Sequence, residues 1–194
     1  GFCARLDLYM VECACRQLRE WLDNGIKPIP ISVNQSRLLF MENHYVDALK
    51  RLLDKYQISA ALIVLEILEG LAAENLEVLN NRIDQLQSAG FKVSMDDFGS
   101  GYSSLNTLYQ LKLDELKIDR AFLCATSQEN DEMRFIVLKQ IIQLAKKLNI
   151  TTVIEGIETK ENAEMMVSFG CEYGQGYYYS KPISAKEFTQ TYMQ

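Results

Sequence analysis

This chain has few of the residues that mark several common protein classes. It contains one histidine, His44, and an odd number of cysteines, five, whose positions do not follow the spacing of a zinc site. Cys13 and Cys15 are two residues apart and would face different directions on a helix, so we do not expect them to share a metal. We therefore predict reduced thiols and a surface histidine, without disulfides or a histidine metal centre.

The sequence also lacks long apolar runs, low-complexity tracts and internal repeats. No run reaches the roughly 18 apolar residues of a membrane span, and no signal peptide is apparent, which predicts a cytoplasmic domain. A membrane anchor elsewhere in a parent protein is compatible with this prediction. The formal net charge of -6 argues against a nucleic-acid polymer as partner. A small phosphate-bearing ligand is compatible if divalent cations neutralise the carboxylates around it.

What the sequence does contain is a series of six short apolar runs, each ending in polar residues. These predicted strands are 28–34 (PIPISVN), 62–69 (LIVLEILE), 91–97 (FKVSMDD), 114–119 (DELKID), 151–158 (TTVIEGIE) and 171–176 (CEYGQG). Apolar residues at helical spacing lie between them, as at Phe135, Leu138, Ile142, Ala145 and Leu148. This alternation of strand and helix predicts an α/β fold with a parallel sheet.

The chain is short for the fold that this pattern predicts. A helix over 6–22, ended by Gly25, has no strand before it. Six strands are two short of a TIM-type (β/α)8 barrel, and the 194 residues fall below the typical length of roughly 250. The chain also begins with Gly1 rather than Met, so we interpret 1–194 as one N-terminally truncated domain. An open barrel exposes two strand edges, which predicts a homodimer or other self-association.

Polar side chains follow the predicted strands at their C-terminal ends. They are Asn34, Glu66, Asp96, Asp97, Lys117, Glu155 and Gln175. In a parallel barrel the C-terminal ends of the strands meet on one face, where side chains from different strands converge on a metal or a substrate. The pattern therefore predicts an active site on that face.

The adjacent pair Asp96 and Asp97 is the strongest chemical signal. Successive side chains of a strand point to opposite faces, so both aspartates reach one site only where the strand ends and the backbone turns. We predict a mobile active-site loop directly after them, formed by Phe98, Gly99, Ser100, Gly101, Tyr102 and Ser103. The alternative is that one aspartate caps the next helix and the other is solvated.

Glu66 and Lys117 are charged residues in apolar surroundings. A buried carboxylate at Glu66 is costly unless it is paired or bound to a metal, and Glu69 is placed to orient the neighbouring loop. Lys117 lies between Leu116 and Ile118, where burial would lower its pKa and suit it to proton handling or to polarising water. The alternatives are a structural ion pair at Glu66 and a salt bridge from Lys117 to a strand-end carboxylate.

Six segments, SVNQS, LEILE, DDFGSGYSS, LKID, EGIET and GQGYYYSKP, closely resemble in order and spacing the EAL domain of bacterial cyclic-di-GMP phosphodiesterases. The resemblance extends from about residue 29 to 182. It implies a (β/α)8-type barrel that binds two Mg²⁺ or Mn²⁺ ions and hydrolyses one phosphodiester of cyclic-di-GMP to linear pGpG. It also implies a sensory or GGDEF domain beside this one in the parent protein.

The resemblance also implies roles for individual residues. It places metal ligands at Asn34, Glu66, Asp96, Asp97 and Glu155. It implies that Lys117 contacts the attacking water, that Glu155 also takes part in catalysis, and that Glu69 anchors the loop after Asp97. Gln175 is implied to hold waters of the site, and Glu158 is a further site glutamate.

The sequence departs from the family in ways that leave other functions open. The Glu-Ala-Leu motif, whose glutamate is a metal ligand in the family, is expected upstream of residue 1, so we expect the isolated chain to be impaired. Leu68 stands where the family usually has threonine, and Gly70 follows Glu69. The alternatives are a catalytically inactive cyclic-di-GMP receptor and an unrelated barrel enzyme or structural domain.

Overall fold

Six parallel strands form in the six predicted apolar runs. The computed structural model describes residues 2–73, 75–100, 105–123 and 128–193. The strands are β1 (Ile31–Gln35), β2 (Ile63–Leu68), β3 (Lys92–Phe98), β4 (Glu115–Ile118), β5 (Thr151–Ile154) and β6 (Tyr173–Gly174). They are hydrogen-bonded in chain order, and every neighbouring pair is parallel. A doubly wound sheet reverses its order at a switch point, whereas this sequential order is that of an incomplete TIM-type barrel.

Most of the strands are shorter than the predicted runs, for local reasons. β1 begins at Ile31 and not at residue 28, because Pro28 and Pro30 have no N–H to donate to a sheet. β5 ends at Ile154 and not at residue 158, because Gly156 has a φ of +71° and turns the chain away from the sheet. Glu155 and Gln175 directly follow β5 and β6, whereas the other polar site residues lie within the C-terminal halves of their strands: Asn34, Glu66, Asp96, Asp97 and Lys117.

Helices connect the strands and cover one face of the sheet. They are α1 (Phe2–Asp23), α2 (Arg37–Phe40), α3 (Tyr45–Tyr56), α4 (Leu76–Ser88), α5 (Leu105–Gln110), α6 (Gln128–Lys147), α7 (Lys160–Phe169) and α8 (Ala185–Tyr192). The predicted N-terminal helix is confirmed, and Gly25, at a φ of +70°, follows its last turn. Over the described residues, no helix is long and apolar enough to cross a membrane.

The strands alternate between an apolar face toward the helices and a face toward the barrel interior. In β2, Ile63, Leu65 and Ile67 are fully buried in the core between sheet and helices. Glu66 alternates with them and therefore lies on the opposite face, while Leu68, on that same face, is 52% exposed. The core thus lies outside the sheet, and the polar strand-end residues project from its inner face.

The first and last helices of the chain contact each other. Trp21 of α1 donates a hydrogen bond from Nε1 to Oγ1 of Thr189 in α8, at 2.7 Å. Its ring also lies against Phe188, with the ring centroids 6.4 Å apart. Trp21 is only 3% exposed. This contact joins the two ends of the layer of helices.

The side chains of Cys13, Cys15 and Cys171 are free thiols, and Cys15 is buried in the core. Burial raises the pKa of Cys15 to about 11. The predicted surface position of His44 is confirmed, since it is exposed just before α3. The predictions for Cys3 and Cys124 lie outside the described side chains.

Candidate active site

Lys117 lies at the centre of a cluster of three carboxylates contributed by β2, β3 and the segment after β5. Its Nζ is 2.7 Å from Oε1 of Glu155, 2.8 Å from Oδ1 of Asp96 and 3.1 Å from Oε2 of Glu66. The Lys117 side chain is 8% exposed, and the three carboxylates are between 7% and 18% exposed. One positive charge therefore faces three carboxylates, and the cluster retains an excess of negative charge.

The prediction of a lowered pKa for Lys117 is wrong. Burial lowers its pKa, but the hydrogen bonds to Asp96 and Glu155 and the negative charge of Glu66 outweigh burial and raise the pKa overall. The prediction considered only the apolar neighbours along the chain, which lie on the other face of β4. Lys117 is therefore a protonated hydrogen-bond donor, and the salt bridge considered as an alternative is present.

The carboxylates of the cluster lie where negative charge is costly. Burial raises the pKa of Glu66 and of Glu155, and Lys117 opposes this effect in both. The pKa of Asp97 is also raised, first by burial and then by the negative charge of Asp96 and Asp119. Carboxylates in such surroundings are stabilised by an additional cation.

Asp96 and Asp97 reach the same site through an irregularity inside β3. The pairing of β3 with β4 shifts between Met95 and Phe98, and Asp97 adopts a left-handed conformation with a φ of +59°. A bulge of this kind redirects a side chain next to an active site. Asp96 and Asp97, together with Glu155, each offer a carboxylate oxygen, and these three atoms lie within 4.8 Å of one another.

The predicted loop begins later than expected. Phe98 is the last residue of β3 and is 2% exposed, so it belongs to the core and not to the loop. The strand continues because the bulge, and not a strand end, redirects Asp97. Gly99 and Ser100 follow β3 in a turn. The predicted loop residues Gly101, Tyr102 and Ser103 lie outside the described residues.

Glu69 is buried directly after β2 and holds the turn after β3. Its Oε2 accepts a hydrogen bond from the Gly99 N–H at 2.9 Å, and Glu69 is 3% exposed. Its Oε1 is buried and has no hydrogen-bond partner in the part of the chain that the structure describes. Glu69 therefore fixes the backbone two residues after Asp97.

Three other predicted site residues lie near this end of the sheet but outside the cluster. Asn34 is the register partner of Glu66 and is exposed on the same face. Gln175, directly after β6, donates its backbone N–H to the Ile154 carbonyl, and its side chain is exposed. Glu158 is exposed beyond the end of β5. Among the described residues, no hydrogen bond joins these three side chains to the cluster.

Sequence reasoning missed Asp119. It follows β4 directly, and its backbone N–H donates to the Phe98 carbonyl at 3.1 Å. Its Oδ1 accepts a hydrogen bond from the Ala121 N–H, which is an ordinary capping role in a turn. Its charge nevertheless contributes to the raised pKa of Asp97. The signal was present in the segment LKID, where an aspartate ends a predicted strand.

The fold and the cluster define a class of protein. A parallel α/β arc of a TIM-type barrel that gathers carboxylates at the C-terminal ends of its strands is a barrel domain with an acidic site able to hold a metal ion. The chain belongs to the EAL domain family, whose profile matches residues 1–182.

Known relatives are similar over nearly the whole chain. MucR of Pseudomonas aeruginosa, a bifunctional diguanylate cyclase/cyclic di-GMP phosphodiesterase, is 33% identical over 187 residues, which cover 96% of this chain and 27% of MucR. PdeB of Escherichia coli, a probable cyclic di-GMP phosphodiesterase, is 32% identical over 97% of this chain and 35% of PdeB. This chain thus spans between about a quarter and a third of these two relatives.

A solved structure agrees with the fold. The structure of the MucR phosphodiesterase from Pseudomonas aeruginosa in complex with c-di-GMP superimposes with a TM-score of 0.87 at 33% identity. The match covers 97% of this chain and 75% of that chain. The parallel arc described above is therefore the arc of an EAL domain.

Proposed function

We propose that this domain is a cyclic-di-GMP phosphodiesterase that opens one phosphodiester of its substrate to give linear pGpG, with two divalent ions, Mg²⁺ or Mn²⁺. The observation that carries the proposal is the convergence of Asp96, Asp97 and Glu155 within 4.8 Å, beside Lys117, in a chain of the EAL family. Two relatives, MucR and PdeB, are named as cyclic di-GMP phosphodiesterases, which supports the same substrate here.

The donor atoms of the site fit hard divalent cations. The cluster offers carboxylate oxygens, which Mg²⁺ and Mn²⁺ prefer, and its excess negative charge calls for positive charge. The residues that would hold the ions are Asn34, Glu66, Asp96, Asp97 and Glu155. When bound, two such ions activate a water molecule and offset the charge that develops on the phosphoryl oxygens.

The residues of the chain prepare this chemistry by fixing its geometry. Lys117 donates to Asp96 and Glu155 at 2.8 and 2.7 Å, so it aligns two carboxylates and presents its ammonium group to an attacking water. Glu69 holds the Gly99 N–H and, through it, the backbone near Asp97. The described cluster contains no cysteine or histidine, so we propose direct attack by water without a covalent enzyme intermediate.

Regulation and assembly belong to the same proposal. MucR carries a diguanylate cyclase activity beside its phosphodiesterase activity, and this chain spans only 27% of MucR. We therefore propose that the parent protein carries a GGDEF or sensory domain beside this one. We also propose homodimerisation, because β1 and β6 are edge strands of the described sheet, and edge strands can pair with another chain.

The decisive experiment is chromatographic detection of pGpG after the parent protein is mixed with cyclic-di-GMP and Mg²⁺ or Mn²⁺. Asp96→Ala is expected to abolish the product. Asp84→Asn is the matched control, because the Asp84 side chain is 43% exposed and paired with Lys112 away from the cluster. Product that depends on Asp96 supports the phosphodiesterase. Binding of cyclic-di-GMP without product in the wild type would overturn it and identify a receptor.

A further inference from the structure

We infer that the turn after β4, Arg120–Phe122, acts as a wedge that sets the positions of Asp97 and Glu155 together, and that Phe122 is a positioning residue for the proposed metal site. This inference rests on the proposed function. The turn, named here the wedge turn, is a short 3-10 helix capped by Asp119.

The wedge turn leaves the sheet between the two segments that carry those carboxylates. Directly before it, the Asp119 N–H donates to the Phe98 carbonyl at the end of β3, at 3.1 Å. On the other side, the Glu155 N–H donates to the Ile118 carbonyl at the end of β4, at 3.0 Å. Asp97 precedes Phe98 in the chain. The backbone on which the turn rests is therefore bonded to both carboxylate-bearing segments.

Phe122 lies directly against Gly99. Gly99 has a φ of +96°, and a Cβ atom at this position would lie 2.2 Å from Cε2 of the Phe122 ring. The Gly99 N–H is bound by Oε2 of Glu69 at 2.9 Å, so Gly99 is held by Glu69 and by the ring. Asp97, two residues earlier, has a φ of +59°, a conformation costly for residues other than glycine. Because Gly99 is held in place, the structure can maintain this costly backbone conformation at Asp97.

The wedge turn also contacts the segment that carries Glu155, and this contact is more rigid than the one between Phe122 and Gly99. Gly156 has a φ of +71°, and a Cβ atom there would lie 2.3 Å from Cβ of Arg120. A Cβ atom moves only with its own backbone, so Gly156 and the backbone of the wedge turn are in fixed contact. Gly156 follows Glu155 directly. A displacement of the wedge turn therefore changes the support of both carboxylates.

The open cleft beside Phe122 makes its role separable from general stability. The ring borders an apolar cleft of about 540 Å³, which Phe98 and the α6 residues Ile141 and Leu144 also line. Phe122 is only partly buried against the core. Truncating the ring therefore enlarges an existing cleft and does not open a sealed cavity, so the cost in stability is smaller than for a fully buried phenylalanine.

The test is the affinity for Mn²⁺, measured by calorimetry on the full chain without substrate, for Phe122→Ala, Phe122→Leu and the control Phe169→Ala. Phe169, at the end of α7, is also a partly buried phenylalanine packed against the core, away from the wedge turn. We expect Phe122→Ala to weaken Mn²⁺ binding by about 10-fold, as for the loss of a group that orients metal ligands. We expect Phe122→Leu to lose less Mn²⁺ affinity than Phe122→Ala, and Phe169→Ala to retain the wild-type affinity.

A second comparison tests the contact itself. Gly99→Ala is expected to weaken Mn²⁺ binding less in the Phe122→Ala background than in the wild type, because the ring that its methyl group would meet is gone. Thermal unfolding in EDTA checks that each variant is folded. If Phe122→Ala does not fold, the Mn²⁺ affinity of Phe122→Leu decides the test. Wild-type Mn²⁺ affinity in both Phe122 variants, or strictly additive losses in the double variant, would overturn the wedge. A wild-type chain that binds no Mn²⁺ would overturn the proposed metal site instead.

Discussion

Replacing Lys117 with methionine tests the electrostatics of the cluster most directly. The substitution keeps a side chain of similar length but removes the charge that contacts Glu66, Asp96 and Glu155 at 2.7 to 3.1 Å. All four side chains are less than a fifth exposed, so solvent offers the carboxylates little compensation. Removing one partner of a buried ion pair costs about 3–5 kcal/mol, because the remaining charge stays buried and unpaired. We expect Lys117→Met to lower the free energy of unfolding by that amount.

The measurements are urea unfolding and thermal unfolding, both monitored by circular dichroism, in EDTA so that metal ions do not replace the lost charge. At about 2–4 °C per kcal/mol for a chain of this size, the melting temperature should fall by roughly 6–20 °C. Lys112→Met is the matched control, because the Lys112–Asp84 pair is 62% and 43% exposed and is expected to contribute less than about 1 kcal/mol. Equal losses for the two variants would refute the reasoning.

Three further predictions concern the core, a thiol and the turn after β3. Leu65→Ala should cost about 2–5 kcal/mol in urea unfolding, and Leu68→Ala far less because Leu68 is 52% exposed; equal costs would contradict the assignment of faces. N-ethylmaleimide at pH 8 should leave Cys15, with a pKa of about 11, unlabelled in the folded protein and labelled in urea, as read by peptide mass spectrometry; rapid native labelling would contradict its burial. Glu69→Ala should release the Gly99 N–H and weaken Mn²⁺ binding about 10–100-fold in calorimetry, and an unchanged affinity would exclude an anchoring role.

The sequence predicts the strands of this fold well because each apolar run is short and followed by polar residues. In β4, Leu116 and Ile118 are fully buried and form its apolar face, whereas Lys117 between them lies on the inner face. Strand bounds depend on details that the apolar pattern does not contain. Just before β4, for example, the Asp114 carboxylate accepts the Val93 N–H at 2.8 Å, and this side-chain bond cannot be read from the apolar pattern.

The convergence of the site was predictable, whereas its fine geometry was not. Parallel strands bring their C-terminal ends together, which is why Glu66, Asp96 and Glu155 could be expected on one face. The charge state of Lys117 depends on the distances to these carboxylates, which only the three-dimensional structure gives. The bulge that redirects Asp97 likewise depends on the pairing of β3 with β4.

The alternation of faces in β2 has a consequence for changes in chain length. Ile63, Leu65 and Ile67 are fully buried against the helices, whereas Glu66 faces the interior of the barrel. Inserting or deleting one residue between Ile63 and Glu66 would exchange the two faces, moving the carboxylate into the apolar core and an isoleucine or leucine into the site. Insertions before β2, in the connection from α3, leave this order unchanged. Length differences among relatives of this chain are therefore expected in the connections and not within β2.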